Sequence, residues 1–211
     1  MIEPRVITTS DGLALEAELA VAEGVPRAAM VLCHPHPQHG GTMRSIVIGA
    51  LFGALPRIGV TCLRFNFRGV EQSEGAYGDG HGEQHDALAA IAALSAETAD
   101  APVPLVLAGW SFGGDVALST VDDRISAWLA IAPPLRIFPD FAAVARDPRH
   151  KLLALAEHDE FREPSSVVEE VANWAATSSV VVPGASHFFV GRTDRLVEIA
   201  AAYVDEVVSR S

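Results

Sequence analysis

Ser111, Asp159 and His187 are the residues whose types and order in this chain could carry out nucleophilic acyl chemistry. An alcohol is a weak nucleophile at neutral pH. It needs a base within hydrogen-bond reach and a third group that holds the base in the right tautomer. Ser111 stands in Gly109-Trp110-Ser111-Phe112-Gly113, after the apolar run Pro104-Leu105-Val106-Leu107-Ala108 and before the helix-capable Gly114-Asp115-Val116-Ala117-Leu118. That context predicts a sharp strand-to-helix turn with a strained serine at its apex. A side chain two residues before or after the apex would collide with neighbouring chain, hence Gly109 and Gly113. Such a turn lifts the hydroxyl above the sheet edge and leaves the first helix amides free to meet negative charge. Asp159 lies three residues beyond the apolar run 151–156, and His187 follows the last such run, in Pro183-Gly184-Ala185-Ser186-His187-Phe188-Phe189. Acid then histidine after the serine is the expected order. Glu157 and Glu160 share the loop of Asp159 and stay open as alternative partners, whereas His158 reads as a neighbour.

A tetrahedral intermediate carries an oxyanion that needs two pre-placed N–H donors. Phe112, directly after the serine, supplies one. The second is expected from Cys33-His34-Pro35-His36-Pro37-Gln38-His39-Gly40-Gly41. Pro35 and Pro37 have no N–H, which leaves His36 as the choice and Gln38 behind it. His34, Trp110 and Phe188 are the expected substrate contacts, although Trp110 fits packing beneath the turn equally well. His34, His36 and His39 also suggest a metal, but prolines stiffen the run and no carboxylate or cysteine cluster completes a shell; no metal is expected.

These residues need elements that bring them together. Apolar runs at 28–33, 60–65, 104–108, 127–132, 151–156 and 179–182 have the character of buried parallel strands, and 13–21 that of a strand near a sheet edge. Helical patterns fall between them at 42–56, 83–96, 112–121, 165–176 and 194–208. The alternation predicts an α/β fold, a doubly wound, mostly parallel sheet with function collected at the carboxyl ends of its strands. No linker divides the chain, so residues 1–211 are expected to form one domain. The segment 133–150 is too short for a separate lid, and the glycine-rich loop 71–82 is expected to be mobile. Asp115, Glu83 and Asp86 suit the first turns of helices, where negative charge is favoured. His81 and His85 are expected at the surface.

Composition sets the outer limits. A net charge of −12, from 15 Lys plus Arg against 27 Asp plus Glu, gives no basic footprint for nucleic acid or an anionic membrane. The first residues lack a secretory pattern and no apolar run reaches bilayer length, which leads to an expectation of a cytoplasmic protein. Cys33 and Cys62 fall in apolar segments and are expected as buried, reduced thiols. Lysine occurs once, at Lys151.

Four motifs taken in order, His34-Pro35-His36-Pro37 with Gly40-Gly41-Thr42-Met43, Arg64-Phe65-Asn66-Phe67-Arg68-Gly69, Gly109-Trp110-Ser111-Phe112-Gly113-Gly114 and Ser186-His187-Phe188-Phe189, resemble the α/β-hydrolase superfamily. Within it, the chain is similar to compact, lidless bacterial hydrolases related to dienelactone hydrolases. The resemblance spans nearly the whole chain. It implies an α/β-hydrolase fold without a cap domain and a serine hydrolase with no cofactor, acting on a small-molecule acyl substrate. Esters are the first expectation; peptides, thioesters, acyl transfer, and a non-catalytic binding protein on the same fold are the alternatives. Oligomeric state is left open, a homo-oligomer included. One departure stands out: Glu71 occupies a position where relatives usually have glycine. Asn66 and Arg68 are expected to anchor the glycine-rich loop rather than touch substrate.

Overall fold

The structure, a computed structural model, describes residues 2–210. One eight-stranded sheet runs through it in the order β1-β2-β4-β3-β5-β6-β7-β8. Its strands are β1 (Ile2–Thr8), β2 (Ala14–Ala20), β3 (Ala28–Cys33), β4 (Val60–Phe65), β5 (Leu105–Trp110), β6 (Ala127–Ile131), β7 (His150–His158) and β8 (Thr177–Ser186). The β1–β2 and β2–β4 pairs are antiparallel; every other pair is parallel. The helices are α1 (Ile46–Ala54), α2 (His81–Glu97), α3 (Phe112–Ser119), α4 (Ala142–Arg146), α5 (Pro164–Val171) and α6 (Thr193–Arg210).

Period-two alternation in the strands splits the core into two layers. In β3, Ala29, Val31 and Cys33 point to the layer that also holds Ala87 and Ile91 of α2, Val116 of α3 and Val167 of α5. Ala28, Met30 and Leu32 point the other way, to Val47 of α1 and Leu196 and Tyr203 of α6. Both faces are therefore covered, which is why these strands read as continuous apolar runs. Cys33 and Cys62 are free, buried, and in opposite layers, so neighbouring strands do not bring the thiols together.

The sequence-derived elements reappear with shifted ends, and three departures have physical causes. β1 was missing from the sequence reading because Glu3, Pro4 and Arg5 make it look unlike a strand; at a sheet edge Pro4 forfeits no ladder bond and charge is tolerated. β8 continues through Pro183 to Ser186 for the same reason, lying at the opposite edge. The helix expected from residue 42 begins at Ile46, because Thr42 and Ser45 instead close a turn in which Ser45 N donates to Thr42 O and Thr42 N to Ser45 Oγ. Between β6 and β7 only the five-residue α4 intervenes, so no cap domain covers the sheet.

The chain moves from β3 to β4 on one side and then to β5 on the other. Strand order reverses between β3 and β5, and the crevice beyond their carboxyl ends is where such a sheet places a site.

Lys151 is fully buried, its ammonium donating to the carbonyls of Val144 and Asp147 at 3.2 and 2.5 Å, just where α4 ends. An amine that is both hydrogen-bonded and without solvent contact cannot meet an acylating reagent. The single lysine should thus stay unmodified by an N-hydroxysuccinimide ester in folded protein and react only after denaturation, read by peptide mass spectrometry. Labelling of Lys151 in folded protein at the rate of a free lysine would contradict this placement.

Candidate active site

Ser111 sits between β5 and α3 with φ 55° and ψ −121°, a backbone conformation that L-residues avoid. The turn is held by neighbours that tolerate no side chain. A Cβ on Gly109 would lie 2.0 Å from the carbonyl oxygen of Gly113, and one on Gly113 would lie 2.3 Å from that of Cys33. Ser111 N donates to Ile131 O of the neighbouring strand at 2.8 Å, while Ser111 O accepts from Gly114 and Asp115. The strained apex is over-determined on all sides.

Ser111 Oγ lies 2.9 Å from His187 Nε2, and His187 Nδ1 lies 2.8 Å from Asp159 Oδ2. The imidazole and the carboxylate are almost wholly buried, at 6% and 5% side-chain exposure. Burial pushes the Asp159 carboxyl up, but hydrogen bonding and charge from His187, with the amides of Phe161 and Arg162, outweigh it and leave it below the ordinary aspartate value. An ionised Asp159 can only accept, so Nδ1 carries the ring proton and Nε2 is left to accept from the Ser111 hydroxyl.

The two neighbouring acids do different work. Glu160 accepts from the amide of His187 at 3.0 Å, and Glu157 from the amide of Gly184 at 2.7 Å. Asp159 is therefore the carboxylate on the imidazole, and its neighbours fasten the backbone on which His187 rides. Ala185 and Phe189, fully buried on either side of His187, pin that turn to the core, and the Trp110 indole donates to His187 O at 3.1 Å. Trp110 thus joins the serine turn to the histidine turn, besides lining the pocket.

The amides of Phe112 and His36 make no hydrogen bond among the described residues, whereas Gln38 N is committed to His36 Nδ1 at 3.2 Å. The segment bearing His36 is pressed against the serine turn through the Cys33–Gly113 approach, and the His36 and Phe112 rings pack 4.9 Å apart. On its other side His36 packs against Tyr77, which the glycine-rich loop delivers. That loop, expected from its glycines to be mobile, carries several anchors. Glu83 accepts from Gly78 and Gly80, Glu74 bonds Ala14 in both directions, and Arg68 bridges Asp86 and Asp11. Asp86 is accordingly an ion-pair partner, not merely a helix-start charge. Asn66 and Arg68 anchor, as the sequence led one to expect. Glu71 adopts φ 50°, a left-handed conformation that favours glycine, and its carboxylate is held by Asn66 Nδ2 and Arg44 Nη1, both at 2.7 Å.

His34 requires a correction as a substrate contact. It is fully buried; its Nδ1 donates to Pro35 O at 2.6 Å and its Nε2 accepts from Phe67 N at 3.0 Å. Both ring nitrogens are spent on backbone, which joins the ends of β3 and β4 and leaves nothing for a ligand. His81 packs on Phe138 and His85 pairs with Ser10, both peripheral to the site. Asp115 is more than a helix-start charge. It accepts from the amides of Leu135, Arg136 and Ile137 and so holds the segment after β6, while burial pushes its pKa up to about 6.

A cavity of about 480 Å³ opens over Ser111 and His187. Among the described residues none that lines it is Asp, Glu, Lys or Arg; its walls include Pro35, Ile46, Trp110, Phe161 and Phe188. Phe161, unremarked in the sequence, stacks 4.5 Å from the His187 ring. Its position one residue past the Glu157–Glu160 acid run was the only available signal. Among the described residues there is no group of three or more His, Cys, Asp or Glu suited to a metal and no helix long and apolar enough to cross a membrane.

No protein-family profile matches the chain. An uncharacterized protein of Rickettsia prowazekii is 30% identical over 205 residues, covering 92% of this chain and 86% of that protein. Among solved structures, an α/β serine hydrolase homologue from Coxiella burnetii superposes with a TM-score of 0.86 at 31% identity, covering 95% of this chain and 96% of that one. A lidless α/β serine hydrolase from Xanthomonas campestris gives a TM-score of 0.84 at 28% identity, over 99% and 94% of the two chains.

Burial lowers the pKa of His34 to about 4, against an ordinary 6.5. Below 6.5 the unfolded chain takes up a proton that the folded protein refuses until about pH 4, so stability is full above 6.5 and falls as pH drops through this window. The loss amounts to about 3 kcal/mol. Urea unfolding of the parent and of His34→Asn at each pH should show their stability gap shrinking by that amount from pH 7 to 4. A gap independent of pH would refute a neutral, buried His34.

Proposed function

This chain belongs to the α/β-hydrolase superfamily, and from that premise we propose that it hydrolyses carboxylic esters through an acyl-enzyme on Ser111. The observation that carries the reading is the continuous hydrogen-bonded line from Asp159 through His187 to Ser111, ending in an uncharged pocket. In this reading the Ser111 oxygen attacks the ester carbonyl as His187 Nε2 takes its proton, and the imidazolium is held by Asp159. The carbonyl oxygen, now negative, is met by the amides of Phe112 and His36. Each such donor contributes roughly 2.7 to 4 kcal/mol to lowering the barrier. Collapse returns the proton to the leaving alcohol, and water, activated by the same imidazole, releases the acid.

Thioester, peptide and acyl-transfer chemistry use the same groups, because pocket shape selects the leaving group. The lack of a lysine or arginine among the pocket-lining residues, together with the net charge of −12, disfavours the polyanionic handle of an acyl-CoA. A panel of p-nitrophenyl esters, acyl-CoA thioesters and dipeptide amides should give turnover chiefly on the esters.

Ser111→Ala should abolish ester turnover, with kcat lowered on the order of 10⁶-fold. Asp159→Asn, which keeps the shape but favours the wrong tautomer, should cost about 10⁴-fold. A fluorophosphonate probe should label Ser111 in the parent. A Ser111→Ala protein as active as the parent would refute the reading, and absence of labelling would point to a binding protein built on this fold.

A further inference from the structure

Resting on the esterase reading, the geometry points to an aromatic or similarly bulky apolar alcohol as the leaving half of the substrate, one carrying no negative charge, held by Phe161 and Phe188. Proton bookkeeping fixes which side of the pocket receives it. The proton that His187 Nε2 takes from Ser111 Oγ must pass to the ester oxygen as its bond to the carbonyl carbon breaks. The products of that step are a neutral alcohol and acyl-Ser111, and water then releases the acid. The departing oxygen must sit within hydrogen-bond distance of Nε2, so its substituent extends over whatever packs on the imidazole. Three rings do so: Phe161, with centroids 4.5 Å apart, Phe188, at 5.6 Å, and Trp110, at 6.2 Å; Trp110 is buried, so the two phenylalanines are the ones open to a substituent. They also meet each other edge to face at 6.0 Å, and Phe188 meets Trp110 in the same way at 6.5 Å. The Pro35 and Ile46 wall is thereby left for the acyl half.

Exposure argues in the same direction. Phe161 is 55% exposed and Phe188 47%, so the two rings form an apolar, unsatisfied surface at the imidazole rather than core packing. An aromatic group inserted there gains burial and ring-edge contacts together. Charge narrows the choice further. Exposed Glu157 near the end of β7 and exposed Glu160 and Glu163 in the segment that carries Phe161 repel a carboxylate or phosphate on the alcohol.

Three acetate esters test this: ethyl, benzyl and 4-carboxybenzyl acetate. All form the same acetyl-enzyme, so differences in kcat/KM arise in the step where the alcohol is bound and expelled. Benzyl acetate should exceed ethyl acetate at least roughly tenfold, and 4-carboxybenzyl acetate should fall back by a similar factor. In the Phe161→Ala/Phe188→Ala double variant the benzyl-to-ethyl ratio should drop to within about threefold of one. Independently of turnover, benzyl alcohol should slow fluorophosphonate labelling of Ser111 in the parent where ethanol at equal concentration does not, and the double variant should lose that protection. A parent ratio near one, a ratio that survives in the folded double variant, or absence of protection by benzyl alcohol would overturn the assignment. The underlying reading fails separately: it falls if Ser111→Ala hydrolyses ethyl acetate as well as the parent, whereas Ser111-dependent hydrolysis without aromatic preference sinks this inference alone.

Discussion

The strained backbone of Ser111 is the constraint on which the rest of the site depends. A residue at φ 55°, ψ −121° is unfavourable by roughly 1–3 kcal/mol, and it persists only where surroundings leave no alternative. Those surroundings are backbone atoms: the carbonyl of Gly113 against Gly109, and the carbonyl of Cys33 against Gly113. The same close approach that strains the serine also draws the end of β3 onto the start of α3. The two amides proposed to meet an oxyanion, on Phe112 and His36, therefore come from segments that one steric contact holds together. Positioning of the nucleophile and of the oxyanion donors is a single packing event.

Around that event the chain spends its acids as struts. Asp115 gathers three amides after β6, Glu83 closes the loop carrying Tyr77, Asp86 fastens Arg68, and Glu160 holds the backbone of His187. Each carboxylate satisfies N–H groups that irregular segments near the site would otherwise leave unpaired, at about 1–3 kcal/mol apiece when buried. A lidless site has few large elements packed over it, and these side chain to backbone bonds replace such packing as the source of rigidity. His34 belongs to the same class, joining the ends of two strands through both ring nitrogens.

This division explains what could be read from the sequence. The serine turn, the order of acid and histidine, and most buried strands were legible because each rests on local rules: glycine where no side chain fits, apolar runs where both faces are covered. β1 was not legible, since at an edge the rules that exclude proline and charge relax. Asp159 could not be separated from Glu157 and Glu160 by position alone, because which of three nearby acids faces an imidazole depends on the path of the chain beyond β7, where the register with β8 shifts between Ala156 and His158. His34 was misassigned for a related reason: a histidine in a site motif looks like a ligand contact until the donors and acceptors across the strand, here Phe67 N and Pro35 O, are known.

The net charge of −12 raises a question for any mechanism that builds an anion at the end of β5, and the local arrangement answers it. Several carboxylates near the pocket are matched: Asp159 to His187, Glu160 to a backbone amide, Asp115 to three amides under enough burial to lift its pKa to about 6. The pocket itself has no formal charge among the described residues that line it, and the amide of Phe112, at the start of α3 beside Ser111, makes no hydrogen bond among the described residues. In such a low-dielectric setting a nearby amide dipole outweighs distant, solvent-screened surface charge. On the proposed reading, surface negativity acts mainly on which molecules approach, while the uncharged aromatic wall beside His187 selects among the remainder.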